Sequence, residues 1–279
     1  MFSLAGLSVS RTNRKLRNSK PYEFEDDGDP FIVVGIDAEW VSESEGRNRI
    51  LSYQFAVHNA DTGQTTPLIV YTKDGKRISL ERGLSMAFRR ARRQRVIDRV
   101  PGRFVIAGHF TRADLTTFAD FGSFKRRIGA VRKSYATTER PLQLRVASSE
   151  GPVRCSAVVV DTMMLTSTGT SVETIGNLLG EPKVELPKGY SKNRMDLFMR
   201  DHPDLFEKYA LTDAVIPRRL ITAATTSLPR SAFRPKGKYW RTSTSERPIQ
   251  QPCHSSVYRT GTRRGTVRIW TFWRSSTAL

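Results

Sequence analysis

Hydrophobic and polar positions near the start of the chain predict three β-strands. Residues 31–40 form a nearly continuous apolar run, whereas residues 50–58 and 65–71 alternate apolar with polar side chains. A turn rich in Asn, Asp and Gly at residues 59–63 joins the second and third stretches. The sequence therefore predicts that three antiparallel strands open the fold.

The hydrophobic period then lengthens to that of a helix. Residues 80–96 place Leu, Ala and Phe side chains on one face and most of six arginines off it, which predicts a helix with a basic side. The later elements alternate in type, and the series predicts an α/β fold with a mixed sheet flanked by helices. These predicted elements are a strand at 104–108, a helix at 112–121, an inserted β-hairpin with strands 142–147 and 153–160, a helix at 170–179 and a last helix at 203–220.

Two carboxylates lie near the end of the first predicted strand. Asp37 and Glu39 are two residues apart, and alternation along a strand projects both from the same face. Oxygen ligands on a rigid element suit Mg²⁺ or Mn²⁺, so the pair indicates a metal site. The alternative is a strand that simply reaches solvent at Asp37.

Two further acidic residues, Asp114 and Asp213, lie at or near predicted helices later in the chain. Asp114 follows the predicted strand at residues 104–108 by one short loop, in the first turn of the next helix. Tyr209 and Asp213 are four residues apart on the last helix and therefore share a face. The candidate set thus contains four carboxylates and one tyrosine.

Composition points to a soluble protein with a polyanionic partner. The chain has 279 residues, of which 38% are hydrophobic, enough for one domain core with additional segments. Its net charge of +19 favours nucleic acid over a membrane, because the sequence has no lipidation motif and no apolar run of membrane-spanning length. The two cysteines, Cys155 and Cys253, form no zinc or disulfide pattern, which agrees with a reducing compartment.

The two ends differ in composition from the middle, and we expect a domain at residues 31–222 between them. Residues 1–30 are expected to form an extension, of which residues 1–20 are basic and free of acids, a composition shared by mitochondrial transit peptides and by nucleic-acid-binding arms. Residues 1–10 lack the basic n-region of a secretory signal. The protein is therefore expected to be intracellular and not secreted. Residues 223–279 contain nine Arg and two Lys against one Glu, which predicts a disordered basic tail. Translation outside the native reading frame produces a similarly abrupt change.

Taken in order, Asp37, Glu39, Asp114, Tyr209 and Asp213 resemble the DEDD superfamily of 3′ to 5′ exonucleases, in its tyrosine subclass. Supporting phrases resemble the exonuclease domains of family B DNA polymerases, with the phage, plasmid and organellar protein-primed branch as the nearest fit. The resemblance covers roughly residues 31–221, and its phrases are residues 160–165, 171–180 and 195–197.

The resemblance implies a ribonuclease H-like fold and two-metal hydrolysis of phosphodiester bonds. Two Mg²⁺ or Mn²⁺ ions would be held by Asp37, Glu39, Asp114 and Asp213, and Tyr209 would orient the attacking water. The expected activity is proofreading-type degradation of single-stranded or frayed DNA from its 3′ end, with RNA left open as a substrate. The basic side of the helix at residues 80–96 would guide the nucleic acid.

Four further residues are candidates for substrate binding. Lys183 and Lys188 lie where related domains carry a phosphate-contacting lysine, with solvated side chains as the alternative. Family members often have His-Asn before the second-site aspartate, whereas here His109 is followed by Phe110. Phe110 would stack on a base, or pack in the core, and His109 would contact substrate or serve as a hydrogen-bonded loop residue.

Two other functions remain open from the sequence. One is a non-catalytic nucleic-acid-binding module of the same fold, which the complete acid set argues against. The other is a different ribonuclease H-like nuclease, such as an integrase or resolvase, which would not need Tyr209 four residues before Asp213. The chain has no polymerase palm motif, so we expect an isolated exonuclease domain or the N-terminal part of a family B polymerase, without nucleotide incorporation.

Overall fold

The computed structural model describes residues 29–43, 48–131, 134–137 and 140–226. Eight strands occur in this part of the chain, and the first three agree with the predicted ones. The strands are β1 (Ile32–Ser42), β2 (Asn48–Asn59), β3 (Thr65–Tyr71), β4 (Arg103–Gly108), β5 (Ile128–Val131), β6 (Ser134–Thr137), β7 (Leu142–Ser148) and β8 (Gly151–Asp161).

Six of these strands form one mixed sheet in the order β3-β2-β1-β4-β8-β7. The strand β1 is antiparallel to β2 and parallel to β4, and β4 is parallel to β8. The outer pairs β2–β3 and β7–β8 are antiparallel. This is the ribonuclease H-like mixed sheet that the sequence predicts, and it sets β1 in the interior of the sheet.

The predicted hairpin is confirmed, but it belongs to the central sheet rather than standing apart from it. Its second strand, β8, continues alongside β4 as far as the pair Gly108 and Asp161. A separate two-stranded sheet of β5 and β6 was not predicted. Its strands are only four residues long, too short for an alternation signal to stand out.

Helices cover both faces of the sheet. The even-numbered residues of β1, such as Ile36 and Ala38, share a core with Leu84 and Phe88 of the first helix. On the opposite face, Val33 packs with Ile221 of the last helix. The helices are α1 (Leu80–Arg93), α2 (Thr111–Leu115), α3 (Phe121–Phe124), α4 (Val172–Leu178), α5 (Met195–Asp201) and α6 (Pro203–Thr226).

The predicted single helix at residues 112–121 is wrong, because α2 ends at Leu115 and a second short helix, α3, begins only at Phe121. The amide of Ala119 donates to the carbonyl of Ile78 at 2.9 Å, outside the segment. The carboxylate of Asp120 turns instead to α1 and accepts from the amide of Leu80 at 2.8 Å. Tertiary hydrogen bonds therefore replace the helical ones between α2 and α3.

The predicted limits of the domain fall close to the ends of the described residues. Asp29 accepts hydrogen bonds from Arg99 at 2.7 Å and from the amide of Gly102 at 3.0 Å. The last helix, α6, continues to Thr226, beyond the expected boundary at residue 222. The predicted extension before residue 29 and the predicted tail after residue 226 lie outside the described residues. Within the described part of the chain, every helix is too short or too polar to cross a bilayer.

Candidate functional site

The first two carboxylates lie on the α6 face of the sheet. Asp37 and Glu39 have the same parity along β1 as Val33 and Gly35, and both are partly buried. A Cβ atom placed on Gly35 would lie only 1.9 Å from the carbonyl oxygen of Ala214. Glycine at this position therefore allows α6 to lie directly against β1, beside the two acids.

The helix α6 supplies the third carboxylate and the tyrosine. Tyr209 and Asp213 occupy the buried stripe of α6, one turn apart, as their spacing predicts. Tyr209 is 3% exposed, and its ring meets the ring of Phe198 edge-on with the two centroids 5.9 Å apart. One carboxylate oxygen from each of Asp37, Glu39 and Asp213 lies within 4.8 Å of the others. The sheet and the last helix thus bring these three acids together.

Asp114 approaches the same cluster from α2. It is 3% exposed, and the backbone of Ala38, which lies between Asp37 and Glu39, partly offsets the rise that burial causes in its pKa. Its charge also contributes to the raised pKa of Asp37. Asp114 therefore lies beside the other three acids, although its oxygens are not among those grouped within 4.8 Å.

Burial and mutual repulsion raise the pKa values of these carboxyl groups, although the ammonium group of Lys183 opposes the rise at Asp213. Burial, followed by the charges of Asp114, Asp213 and Glu39, raises the pKa of Asp37 well above its ordinary value. Burial and then the charge of Asp213 raise the pKa of Glu39 to about 8. Burial also raises the pKa values of Asp114 and Asp213. Such a cluster favours a divalent cation, which stabilises the ionised forms.

Two oxygens of the cluster have no hydrogen-bond partner among the described residues. They are Oδ2 of Asp114 and Oδ1 of Asp213, and both atoms are inaccessible to solvent. A buried acceptor without a donor is costly and is rarely left so. Both unpaired oxygens belong to carboxylates, the ligand type that Mg²⁺ and Mn²⁺ prefer, so the chemistry of the site fits these ions.

Lys183 is the predicted substrate-binding residue that the fold brings into the cluster. Its Nζ atom lies 2.6 Å from Oδ2 of Asp213 and 4.6 Å from the centroid of the Tyr209 ring. Burial opposes the charge of Lys183, but the adjacent Asp213 carboxylate holds its pKa above the ordinary value. Burial, followed by the charge of Asp213, raises the pKa of Tyr209 to about 12. At neutral pH the lysine is charged and the phenol is protonated.

The other three predicted substrate-binding residues differ in their placement. His109 is partly buried, with Nδ1 at 2.9 Å from the hydroxyl of Thr162, and burial lowers its pKa. Phe110 is 40% exposed and has a left-handed backbone with φ of 64°, so it does not lie in the core. Lys188 is exposed and makes no hydrogen bond or ion pair with any residue in the described ranges.

Polar residues of β2 and β8 that the sequence did not single out surround the site. Gln54 and Ser52 pair across the sheet with Asp37 and Glu39, are fully buried, and are joined by a 2.7 Å hydrogen bond. Their alternation with apolar neighbours was indistinguishable from that of a solvent-facing strand. Asp161, at the end of β8, is also fully buried and is surrounded by donors.

The basic side of α1 does not border the carboxylates. The apolar face of α1 packs on the even-numbered residues of β1, whereas Asp37 and Glu39 project from the other face. The sheet therefore separates the exposed arginines of α1 from the site. We correct the expectation that this helix guides a strand directly to the acids.

Comparison with known proteins relates part of the chain to a polymerase. No family model matches the sequence. The chain is 33% identical over 213 residues to the primer-independent DNA polymerase PolB of Escherichia coli. This similarity covers 68% of the chain but only 24% of the polymerase, so the chain spans about a quarter of the length of this curated relative. Over most of its length, the chain is thus similar to one part of a DNA polymerase.

Proposed function

We propose that this chain is a metal-dependent 3′ to 5′ exonuclease of the tyrosine subclass, acting on DNA as proofreading domains do. The observation that carries the proposal is the meeting of Asp37, Glu39 and Asp213 within 4.8 Å, with Asp114 beside them. Their order along the chain, the ribonuclease H-like sheet and the similarity to a DNA polymerase support the same function.

The four carboxylates divide into two overlapping sets of metal ligands. Asp37, Glu39 and Asp213 would hold one Mg²⁺ or Mn²⁺ ion, and Asp37 with Asp114 would hold a second. Bound cations supply a water nucleophile at neutral pH and stabilise the leaving 3′ oxygen. The unpaired oxygens of Asp114 and Asp213 would then gain the partners that the described part of the chain does not provide.

Tyr209 and Lys183 would act on the water and the phosphate. The high pKa of Tyr209 keeps the phenol protonated, so it can donate a hydrogen bond that orients the attacking water. The ammonium group of Lys183 carries the positive charge that a scissile phosphate requires. His109 and the exposed ring of Phe110 would meet the terminal nucleotide, where base stacking favours a single-stranded or frayed end.

The test of this proposal is hydrolysis of a 5′-labelled single strand by the purified chain with Mg²⁺ or Mn²⁺. We expect a ladder of products shortened from the 3′ end, no products with EDTA, and losses of at least about 10²-fold in Asp37→Asn and Asp213→Asn. Asp204→Asn is the matched control, because Asp204 is an exposed aspartate on the same helix as Asp213. Equal product from the two site variants and the control would overturn the proposal, and a parallel RNA strand would settle the preference between nucleic acids.

A non-catalytic DNA-binding module is the second candidate, favoured by one observation. The ammonium group of Lys183 already neutralises Asp213 without a metal ion. Binding of the labelled strand with no cleavage at any Mg²⁺ or Mn²⁺ concentration would support this module instead. The polymerase activity in the name of the relative is that protein's own, and the chain spans 24% of its length.

A further inference from the structure

Asp161 lies at the carboxyl end of β8, next to the loop that leads from β4 into α2. Its side chain is fully buried, and β8 sets it directly beside Gly108 of β4. Its carboxylate accepts a hydrogen bond from the amide of Met163 at 2.9 Å, as the cap of the following short helix.

Three other donors reach the same carboxylate from the loop of β4. Oδ1 accepts from the amide of Phe110 at 3.1 Å, and Oδ2 accepts from the amide of Thr111 at 2.6 Å. The hydroxyl of Thr111 lies 2.7 Å from Oδ2 and 2.5 Å from the carbonyl of Tyr135, so its single proton serves one acceptor at a time. Both oxygens of Asp161 are thus occupied by protein donors, and the carboxylate is not free to bind a metal ion.

The two amides that donate hydrogen bonds to Asp161, those of Phe110 and Thr111, lie at the start of α2. Phe110 is the residue before the helix, its backbone is left-handed, and its own side chain provides no cap. A non-glycine residue in this conformation is maintained only when its surroundings fix it. The carboxylate of Asp161, at the end of β8, provides the cap that this helix lacks in its own sequence.

Asp114 is three residues after Thr111 on the same short helix. The position of its carboxylate therefore depends on where the first turn of α2 is held. We propose that Asp161 is a positioning residue, which fixes the loop and α2 so that Asp114 reaches the second cation without itself touching either ion. The inference rests on the proposed function, because it concerns the same two-cation site.

The experiment is a Mn²⁺ titration of the whole protein by calorimetry, in the absence of nucleic acid. Wild type should bind two ions, and Asp114→Asn should lose the second. Asp161→Asn replaces one carboxylate oxygen by an NH₂ group, which cannot accept the hydrogen bonds that this oxygen receives from the protein. We therefore expect the second ion to bind 10- to 100-fold more weakly and the affinity for the first ion to be unchanged. Asp120→Asn is the matched control, since that carboxylate caps α1 through the amide of Leu80 and lies away from the site. It should lower the melting temperature without altering either binding step.

A double variant separates positioning from general damage to the fold. If Asp161 acts only through Asp114, adding Asp161→Asn to Asp114→Asn should leave the remaining Mn²⁺ affinity unchanged, while the losses in melting temperature accumulate. Equal weakening of both ions in Asp161→Asn, or an unchanged second ion, would overturn the inference. Failure of wild type to bind Mn²⁺ at all would instead overturn the proposed function, so the two failures are distinguishable.

Discussion

Replacing Gly35 by alanine tests whether the close approach of β1 and α6 builds the site. The new Cβ atom would lie 1.9 Å from the carbonyl oxygen of Ala214 and 2.9 Å from Cβ of Arg218. Because Cβ contacts under 3.0 Å essentially never occur, strand and helix must separate by about 1.1 Å. The clash is with backbone of α6, so no side-chain rotation relieves it.

The displacement acts directly on the carboxylate cluster. Asp213 precedes Ala214 in the chain, and Asp37 is two residues after Gly35 on the same face of β1. A shift of about 1 Å between catalytic groups can cost on the order of 10²-fold in rate. Overpacking of this kind costs about 1–3 kcal/mol of stability, or roughly 2–12 °C in melting temperature for a domain of this size.

The assay compares Gly35→Ala with Gly122→Ala. Gly122 is an exposed glycine of α3 with no atom within 4 Å of its added Cβ, so alanine there should leave activity unchanged and stabilise the helix by up to about 1 kcal/mol. Exonuclease rate and Mn²⁺ affinity are measured well below both melting temperatures, with near-ultraviolet circular dichroism as the check on folding. A folded Gly35→Ala protein with wild-type rate and metal affinity would refute the reasoning.

Three further predictions concern charge and the end of the domain. The pKa of Glu39 is about 8 in the folded protein and 4.5 in the unfolded chain, so the folded protein binds this proton more tightly. Protonation of Glu39 therefore stabilises the metal-free fold fully below pH 4.5, and this stabilisation is lost as the pH rises through 8. Thermal melts with EDTA should show a loss of a few kcal/mol over that interval, and Glu39→Gln should reduce it; an equal loss in that variant would contradict the assignment. Lys183→Met removes the cation beside Asp213, so the free energy of unfolding without metal should fall by up to about 4 kcal/mol. Added Mn²⁺ should stabilise this variant more than it stabilises wild type. An unchanged melting temperature would show that the ion pair is not needed. Truncation after Thr226 should flatten the salt dependence of DNA binding if the basic tail contacts phosphates, whereas truncation after Thr222 should also lower the melting temperature because it removes the buried Thr225.

Local patterns predicted most of the sheet and the two pairs of site residues that share a face, Asp37 with Glu39 and Tyr209 with Asp213. Alternation along β1 predicts that Asp37 and Glu39 share one face of the strand, and helical spacing predicts that Tyr209 and Asp213 share one face of α6. Both rules depend only on residues close together in the chain. The contact between these two faces is tertiary and came from the resemblance to known exonucleases rather than from periodicity.

The features that the sequence did not predict all depend on contacts between distant residues. Asp161 caps a helix that it does not precede, and Lys183 pairs with Asp213 across thirty positions of the chain. The side of the sheet on which α1 packs is likewise a matter of topology, so its arginines could not be placed from their helical period alone. Gln54 was hidden because a buried polar strand position and an exposed one give the same alternation.

The pairing of the first strand with the last helix has a consequence for the synthesis of the chain. The acids of β1 are made early, and the antiparallel strands β2 and β3 that follow can pair with β1 by short connections. Asp213 and Tyr209 become available only when α6 has emerged and packed on the finished sheet. A nascent chain therefore carries only part of the proposed catalytic site and cannot complete it before α6 has folded onto the sheet. Nuclease competence would thus report completion of the fold, and a ribosome-bound chain stalled before α6 would be a natural inactive reference.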